Sequence, residues 1–446
     1  MIDGAPANVR SFGAVGDGVA DDTAAIQAAI NSGAKRVVGV RGDIYRITDS
    51  LTIDVNSLTL DLYNANIRMD DATGIKSHLI IGNGTTQRNG IIICNITFSR
   101  TQAATAGYAI ELRRIGVSEI SGCRIFGDNK IYNGIKINPV VILNIFNNYI
   151  DNCLNYGIYI EGLGTGADRT VDVSIRETRI DGCVNAINTW DFVEGLFCRD
   201  NIFYAQTAGS VTCNASSNAN GLASFKFQEN DFDSAGGSGL VLENINNIQV
   251  TGCWFSANGN RDIAIGANVT GCVIVGNQMY PNPAGKGIEV AGRDARITGN
   301  LISGGDSAID VLSTARRTGI SGNTIENANN GIVVNALAEN TSIAANLFSN
   351  MITGVISGGG TNGNVQANAG DSTAGSGAYI TVGASPFTHT AASRPECVSI
   401  FEGTVSNISL GANTIGLETN RDIMLAPGQS VTVTYSSVPF MYRNRL

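Results

Sequence analysis

The stretch from Phe12 to Ile30 reads FGAVGDGVADDTAAIQAAI, and the interpretation of the whole chain starts from it. Its first half is a glycine-rich acidic turn, and its second half has the spacing of one amphipathic helix. Asp21 or Asp22 is expected to cap the first amides of this helix, and Gly33 fits a left-handed stop. A single helix this short is marginal alone, so its apolar stripe must cover another part of the protein. The residues predicted on that stripe are Ile26, Ala29 and Ile30.

A sequence motif is repeated after the helix. It consists of a short apolar strand, a Gly-Asn or Gly-Cys dipeptide and a second apolar strand, as in VTGCWF and ISGNTI. The last four corner asparagines advance by 23 residues each time, and such a fixed period indicates a solenoid with one coil per repeat. Asparagines stacked at one corner predict a ladder of side-chain amides. The corner is occupied by Asn148, Asn201, Asn230, Cys253, Asn277, Asn300, Asn323 and Asn346.

A second motif comes about ten residues after each corner, as in YGIYI, NAINT and KGIEV. Its alternate apolar residues are expected to face the interior, and the residues between them to face solvent. Each coil would therefore have three short strands and three turns. About twelve coils, stacked at about 4.8 Å, are expected between residues 91 and 370.

The chain after Asn368 follows a different pattern. Longer alternating strands such as TVTYS are separated by turn sequences such as APGQ. We therefore expect an all-β chain in three parts. Residues 1–50 would form a capping segment with the amphipathic helix, residues 51–370 a parallel β-helix, and residues 371–446 a small β-sandwich.

Composition excludes several classes of protein. The net charge of −9 and the small number of lysines argue against nucleic-acid binding, which needs a basic surface. No run of eighteen apolar residues is present, so membrane insertion is not expected, and the first thirty residues lack the pattern of a signal peptide. These patterns predict no cofactor.

The nine cysteines include no CxxC pair, which argues against a zinc site and against a disulfide framework. Cys153 and Cys183 occupy the same place in IDNCLNYGI and IDGCVNAI. We expect them to stack inside a reduced protein as small hydrophobic residues, which fits assembly in a cytoplasm.

The opening stretch, together with RVVGVRGDIYRITDSLTI at residues 36–53, resembles the start of the pectate-lyase-like single-stranded right-handed parallel β-helix proteins, in particular the branch that includes bacteriophage tailspikes. The resemblance implies a right-handed β-helix and a homotrimer held together by the C-terminal β domain. It also implies a virion protein that contacts other phage tail proteins and is assembled in the cytoplasm of the bacterial host. As function it implies recognition and depolymerisation of a bacterial surface polysaccharide, either capsule or lipopolysaccharide O-antigen.

Two coils are longer than the others, and insertions in solenoids commonly fall on the binding face. The extra residues lie in EGLGTGADRT (161–170) and TCNASSNANGLAS (212–224). The alternation pattern places carboxylates and aromatic rings on adjacent coils beside these two loops. The predicted substrate contacts there are Tyr159, Asn188 and Trp190, with Trp254 as a further stacking residue unless it faces the interior or a subunit contact.

Hydrolysis of a glycosidic bond needs one carboxylic acid and a second carboxylate, about 5 Å apart for retention or about 6.5–9.5 Å for inversion. Glu161 and Asp191 are the predicted pair, with Asp168, Glu194 and Glu243 as substitutes. Glu289 and Asp310 form a second possible pair, although they have no long loop or aromatic neighbour. A site between subunits is a third possibility.

The sequence leaves alternative functions open. The chain lacks the GHG motif of polygalacturonases and the RxPxxR pattern of extracellular pectate lyases. A lyase that uses arginine or tyrosine in β-elimination is the second choice after hydrolysis. A receptor-binding spike without enzymatic activity would share every feature except a working carboxylate pair. A bacterial lyase or epimerase acting alone would be monomeric and normally exported.

Overall fold

The computed structural model describes residues 5–164, 168–214, 224–366, 368–369, 378–391, 395–411, 413–416 and 419–445. Thirty-nine described strands pair in parallel and form one continuous solenoid of about 14 turns, the predicted right-handed parallel β-helix. Two small antiparallel sheets follow at the C-terminal end.

Each regular coil contributes one strand to each of three faces. The first face consists of Ala7–Asn8, Arg36–Val38, Ser118–Ser121, Thr170–Arg176, Val193–Arg199, Phe225–Gln228, Asn246–Thr251, Thr270–Val275, Arg296–Thr298, Gly319–Ser321, Ser342–Ala344 and Asn364–Gln366. The second face consists of Asp17–Asp21, Ile44–Ile47, Arg124–Phe126, Tyr149–Asp151, Arg179–Asp181, Ile202–Tyr204, Asp231–Asp233, Trp254–Ser256, Gln278–Tyr280, Leu301–Ser303, Thr324–Glu326 and Leu347–Ser349.

The third face consists of Leu51–Ile53, Leu79–Ile81, Tyr108–Ile115, Tyr156–Glu161, Asn185–Trp190, Val211–Asn214, Leu240–Glu243, Arg261–Ile265, Lys286–Val290, Ser307–Val311, Asn330–Val334 and Gly354–Ser357. Three long strands run across two faces. Thr59–Met69 and Ile91–Arg100 join the first face to the second, and Asn133–Phe146 joins the third face to the first.

The coil count is higher than the predicted twelve because the solenoid begins well before residue 91. Ala7–Asn8 already pairs with Arg36–Val38, which in turn pairs with Thr59–Met69. At the ladder position these first coils have Ala65 and Ile96 instead of asparagine, and they include strands that cross two faces, so the 23-residue repeat does not extend to them.

The predicted helix spans Thr23–Ile30, and its predicted stripe is buried. Asp21 caps it, since its Oδ1 accepts a hydrogen bond from the Thr23 amide at 3.1 Å. Asp22 has a different role: its two carboxylate oxygens accept from the amides of Val15 and Gly16 and so close the preceding turn. A 3₁₀ helix at Val9–Phe12 precedes that turn.

The asparagine ladder is confirmed. The side-chain amide of Asn277 donates to Oδ1 of Asn300 at 2.9 Å, and the same bond recurs from Asn300 to Asn323 and from Asn323 to Asn346. Each Oδ1 also accepts the backbone amide of the preceding asparagine, and each side chain donates to a strand carbonyl, as Asn300 does to Ile274. The corner is therefore buried without unsatisfied amides.

Side chains of the same type stack in the interior from coil to coil. The rings of Phe232 and Phe255 lie 4.5 Å apart and nearly parallel, and the ring of Phe203 packs on the other side of Phe232 at 5.1 Å. All nine cysteines are free thiols, and Cys153 and Cys183 are buried as expected.

The C-terminal part is a sandwich of two four-stranded antiparallel sheets. One sheet contains, in spatial order, Ala378–Ile380, Phe440–Arg445, Glu396–Phe401 and Arg421–Leu425. The other contains Phe387–Thr390, Ser430–Ser437, Thr404–Leu410 and Asn413–Gly416. A separate apolar core lies between them and includes the buried residues Val398, Ile400, Ile408, Val431, Val433 and Met441.

Candidate functional site

The third face brings together four of the residues predicted for the site. Tyr159 lies in register with Asn188, and Glu161 lies in register with Trp190 on the next coil. Asp191 follows Trp190 at the end of the strand, where the backbone turns with a φ of 43°. Residues 165–167 of the first predicted loop and residues 215–223 of the second lie outside the described residues.

Glu161 is held by side chains of its own coil and of the preceding one. The Tyr159 hydroxyl donates to its Oε2 at 2.9 Å, and the Lys136 ammonium lies 3.0 Å from its Oε1. The Asn138 side-chain amide also donates to Oε1. The Glu161 side chain is only 18% exposed, so these donors stabilise a carboxylate that bulk water reaches poorly.

Aromatic rings adjoin this carboxylate. Tyr156 and Tyr159 stack with ring centroids 5.2 Å apart. Burial, together with the hydrogen bond to Glu161, raises the pKa of the Tyr159 hydroxyl well above its usual value, so it remains a donor at neutral pH. Trp190 is 47% exposed beside Glu161. An exposed indole next to a positioned carboxylate provides a surface on which a sugar ring can stack.

The substitute carboxylates have other surroundings. Asp168 pairs with Arg114, the two atoms lying 2.5 Å apart, and Glu194 pairs with Arg169 at 2.6 Å on a strand of the first face. Glu243 is exposed on the third face, two coils beyond Trp190.

Trp254 lies on the second face, away from Glu161. It is 41% exposed and its ring lies 4.8 Å from that of Tyr280, so it does not face the interior.

Glu289 and Asp310 lie in register one coil apart, as the sequence suggested, but one cation joins them. The Lys286 ammonium lies 2.9 Å from Glu289 and 2.5 Å from Asp310, and Arg261 lies 2.6 Å from Glu289. Burial acts to raise the pKa of Glu289, but hydrogen bonds from Lys286 and Arg261 hold it below its usual value. Glycoside cleavage needs one carboxyl group that acts as acid and one carboxylate that acts as base or nucleophile. Lys286 contacts both carboxylates of this pair, so their surroundings do not separate the two roles.

Sequence reasoning missed a carboxylate pair on the second face. Asp151 and Asp181 lie in register on adjacent coils. Asp151 is 9% exposed, and its burial and the charge of Asp181 raise its pKa. Asp181 Oδ2 accepts from Arg179 Nε at 2.7 Å and from the Tyr149 hydroxyl at 3.3 Å. The available signal was the shared dipeptide Ile-Asp in IDNCLNYGI and IDGCVNAI, which precedes the stacked cysteines.

Within the described ranges, no three histidine, cysteine, aspartate or glutamate side chains come together as a metal site would require. None of the described helices has the length and apolarity needed to cross a bilayer.

Two family models match parts of the sequence. Residues 7–56 match the model described as rhamnogalacturonase A/epimerase, pectate lyase-like, and residues 198–383 match the model described as periplasmic copper-binding protein (NosD). The chain has the pectate-lyase-like β-helix fold. No curated protein matches the sequence.

Solved structures with the same fold come from phages and bacteria. Pre-mature gene product 12 of bacteriophage phi29 is 18% identical with a TM-score of 0.59, over 76% of this chain and 52% of that one. The chain thus matches about half the length of the phi29 protein. The A-module of the Azotobacter vinelandii mannuronan C-5 epimerase AlgE6 is 16% identical with a TM-score of 0.55, over 81% and 98%. Tailspike protein 3 of bacteriophage CBA120 is 12% identical with a TM-score of 0.53, over 81% and 61%.

Proposed function

We propose that this protein is a phage tail spike that binds a bacterial surface polysaccharide and cleaves it by endo-glycosidic hydrolysis. The observation that carries the proposal is the Glu161 carboxylate, fixed by Tyr159 and Lys136 beside the exposed Trp190. The fold supports it, because the structures that share it include two phage proteins and an epimerase named for a polysaccharide substrate. The protein would act in the virion as a homotrimer, in contact with other tail proteins.

The contacts of Glu161 suggest which carboxylate acts as base or nucleophile and which acts as acid. An ammonium, an amide and a phenol all donate to it, which suits a carboxylate acting as base or nucleophile. Asp191, one coil further and just beyond Trp190, would then protonate the leaving oxygen. Trp190 and Tyr159 would position the sugar rings, and Asn188 lies between them to bind hydroxyl groups.

Asp151 and Asp181 are the second candidate pair for the same reaction. One coil separates them, which is about 4.8 Å and close to the spacing of retaining glycosidases. The buried Asp151 with its raised pKa resembles a general acid, and Asp181 beside Arg179 resembles a nucleophile.

The test uses the full chain and a panel of bacterial capsules and O-antigens, with release of reducing ends as the measurement. Glu161→Gln and Asp191→Asn should each lower turnover by at least about a hundredfold, the usual contribution of a general acid or base. Glu326→Gln, a glutamate of the second face, is the control and should retain full activity.

Three results would change the proposal. Full activity in Glu161→Gln and Asp191→Asn, with loss in Asp151→Asn or Asp181→Asn, would move the site to the second face. Products with an unsaturated uronic end would replace hydrolysis by β-elimination. Specific binding of a polysaccharide without products would leave a receptor-binding spike.

A further inference from the structure

A polar groove lies on the first face between residues 296 and 342. Gly319 occupies the outward position between Arg296 on one neighbouring coil and Ser342 on the other. The Arg296 side chain lies over Gly319, and a gap of about 380 Å³ opens beside them. The side chains that line it belong to Arg296, Arg317, Thr318, Ser321, Asn340 and Ser342.

The groove is locally basic, although the chain as a whole is acidic. Arginines 293, 296, 316 and 317 lie on its coils, opposite the carboxylates of Asp294 and Glu339. Arg317 makes two hydrogen bonds of 2.7 Å to Asp294, and Arg316 lies 3.0 Å from Glu339. These bonds use both carboxylates, and the described residues provide no salt bridge to Arg296.

Arg296 is nevertheless held in place. Its Nη1 donates to the carbonyl oxygen of Arg317 at 2.9 Å and to that of Ala295 at 3.2 Å. Its guanidinium is therefore oriented by the backbone, and its charge acts on the nearby Asp294 carboxylate without a salt bridge between them among the described residues. Thr318, only 1% exposed, also lines the groove, and its hydroxyl has no hydrogen-bond partner within the described structure.

We propose that this groove binds a carboxylate of an acidic sugar in the polysaccharide. A guanidinium matches a carboxylate in charge and in planar geometry. Ser321, Ser342 and Asn340 supply the hydroxyl and amide groups that bind the hydroxyls of the same sugar. The groove lies on a different face from Glu161, so it would hold the polymer without taking part in cleavage. This inference depends on the proposed function in one respect: it takes the ligand to be a polysaccharide.

Two substitutions test the groove by different means. Arg296→Gln removes the charge, and Gly319→Leu fills the gap. A Cβ at position 319 meets Arg296 Cδ at 3.3 Å before any other atom, so the new contact falls on a flexible side chain and not on the backbone. Arg199→Gln is the matched control, because this exposed arginine ends a strand of the same face. Thermal unfolding of each variant checks that it is folded.

The probes are polygalacturonate and the same polymer with its carboxylates reduced to alcohols, and binding to the full chain is measured at low salt. Wild type should bind the acidic polymer at least tenfold more tightly than the reduced one. Arg296→Gln and Gly319→Leu should remove this preference, and Arg199→Gln should keep it. Equal binding of both polymers by wild type, or an equal loss in Arg199→Gln, would overturn the proposal.

The two proposals fail separately. Glu161→Gln and Asp191→Asn should bind the acidic probe as wild type does. A chain that binds it through Arg296 but cleaves no polysaccharide would leave the groove in place and refute the hydrolase. A chain that cleaves a polysaccharide but has no preference for the acidic probe would refute the groove alone.

Discussion

Asp262 shows how a single residue can conflict with the repeat. It occupies an interior position that the neighbouring coils fill with Gly239 and Gly287, and it is fully buried. Its Oδ1 accepts from the Asn258 side chain at 2.8 Å, whereas its Oδ2 has no partner within the described structure. Burial raises the pKa of this carboxyl to about 7. The folded chain therefore keeps a proton that the unfolded chain releases near pH 4.

We predict that Asp262→Asn stabilises the protein above pH 7. Between about pH 4 and pH 7 the folded state binds more protons than the unfolded state, so wild-type stability falls as pH rises through that window. Asparagine accepts the same hydrogen bond from Asn258 and cannot ionise. The gain should be on the order of 1–3 kcal/mol at pH 8 and much smaller at pH 4.

Apparent unfolding temperatures at pH 4, 6 and 8 measure this effect. The exposed Asp128, which forms a salt bridge with Lys130, provides the control Asp128→Asn, which should show no such pH-dependent gain. An Asp262→Asn protein that is no more stable than wild type at pH 8 would show that ionisation of this carboxyl does not destabilise the fold.

At the scale of the element, the corner asparagines join each coil to the next. Asn300 is 2% exposed; it donates to Asn323 and to the carbonyl oxygens of Ile274 and Thr298, and it accepts from Asn277. Asn300→Ala leaves the buried backbone amide of Asn277 without its acceptor and removes one hydrogen bond from each of the other groups. Each unsatisfied buried group costs about 1–3 kcal/mol.

We therefore predict that Asn300→Ala lowers the free energy of unfolding by at least about 2 kcal/mol. Thr298→Ala is the control on the same coil, because within the described structure that exposed hydroxyl makes one bond, of 3.3 Å, to Ser321. Urea denaturation of both variants measures the difference. Similar losses in the two would mean that the ladder adds little beyond the strands.

The elements that sequence could predict are those that recur once per coil. The period from Asn277 to Asn346 fixed the ladder, and the alternation in YGIYI and NAINT placed Tyr159 and Glu161 outward. The residues of neighbouring coils that contact Glu161 could not be predicted, because the coil length varies in this part of the chain. Lys136 is 25 residues before Glu161, and neither residue type nor spacing marks it as a partner. The register of Asp151 and Asp181 could be read from the aligned segments IDNCLNYGI and IDGCVNAI, but nothing in the sequence shows that Asp151 is buried.

The whole molecule is expected to be a trimer, and the C-terminal sandwich has a surface suited to that role. Tyr379 and Phe440 are 70% and 51% exposed on the sheet that begins with Ala378–Ile380, and their rings lie 6.4 Å apart. Phe401 stacks on Phe440 at 5.9 Å. Contiguous exposed aromatic rings of this kind mark protein interfaces, and a second and third copy of the chain are the occupants we propose.

Wild type should sediment as a trimer, and the double variant with Tyr379→Ser and Phe440→Ser should sediment as a monomer. Val19→Ser is the control, because Val19 is 76% exposed near the N-terminal helix and is not expected at the interface. Sedimentation velocity at micromolar concentration gives the masses. A wild-type protein that sediments as a monomer would contradict the trimer and weaken the tail-spike proposal.

The constant period of the later coils has a further consequence. From Asn277 to Asn346 every coil contains 23 residues and presents the same corner to its neighbours. Removing or duplicating one such unit would leave every remaining corner bond possible and change the length of the rod by about 4.8 Å. In the proposed tail spike, the distance reached towards a cell surface would therefore change in fixed increments, in a segment separate from the residues around Glu161.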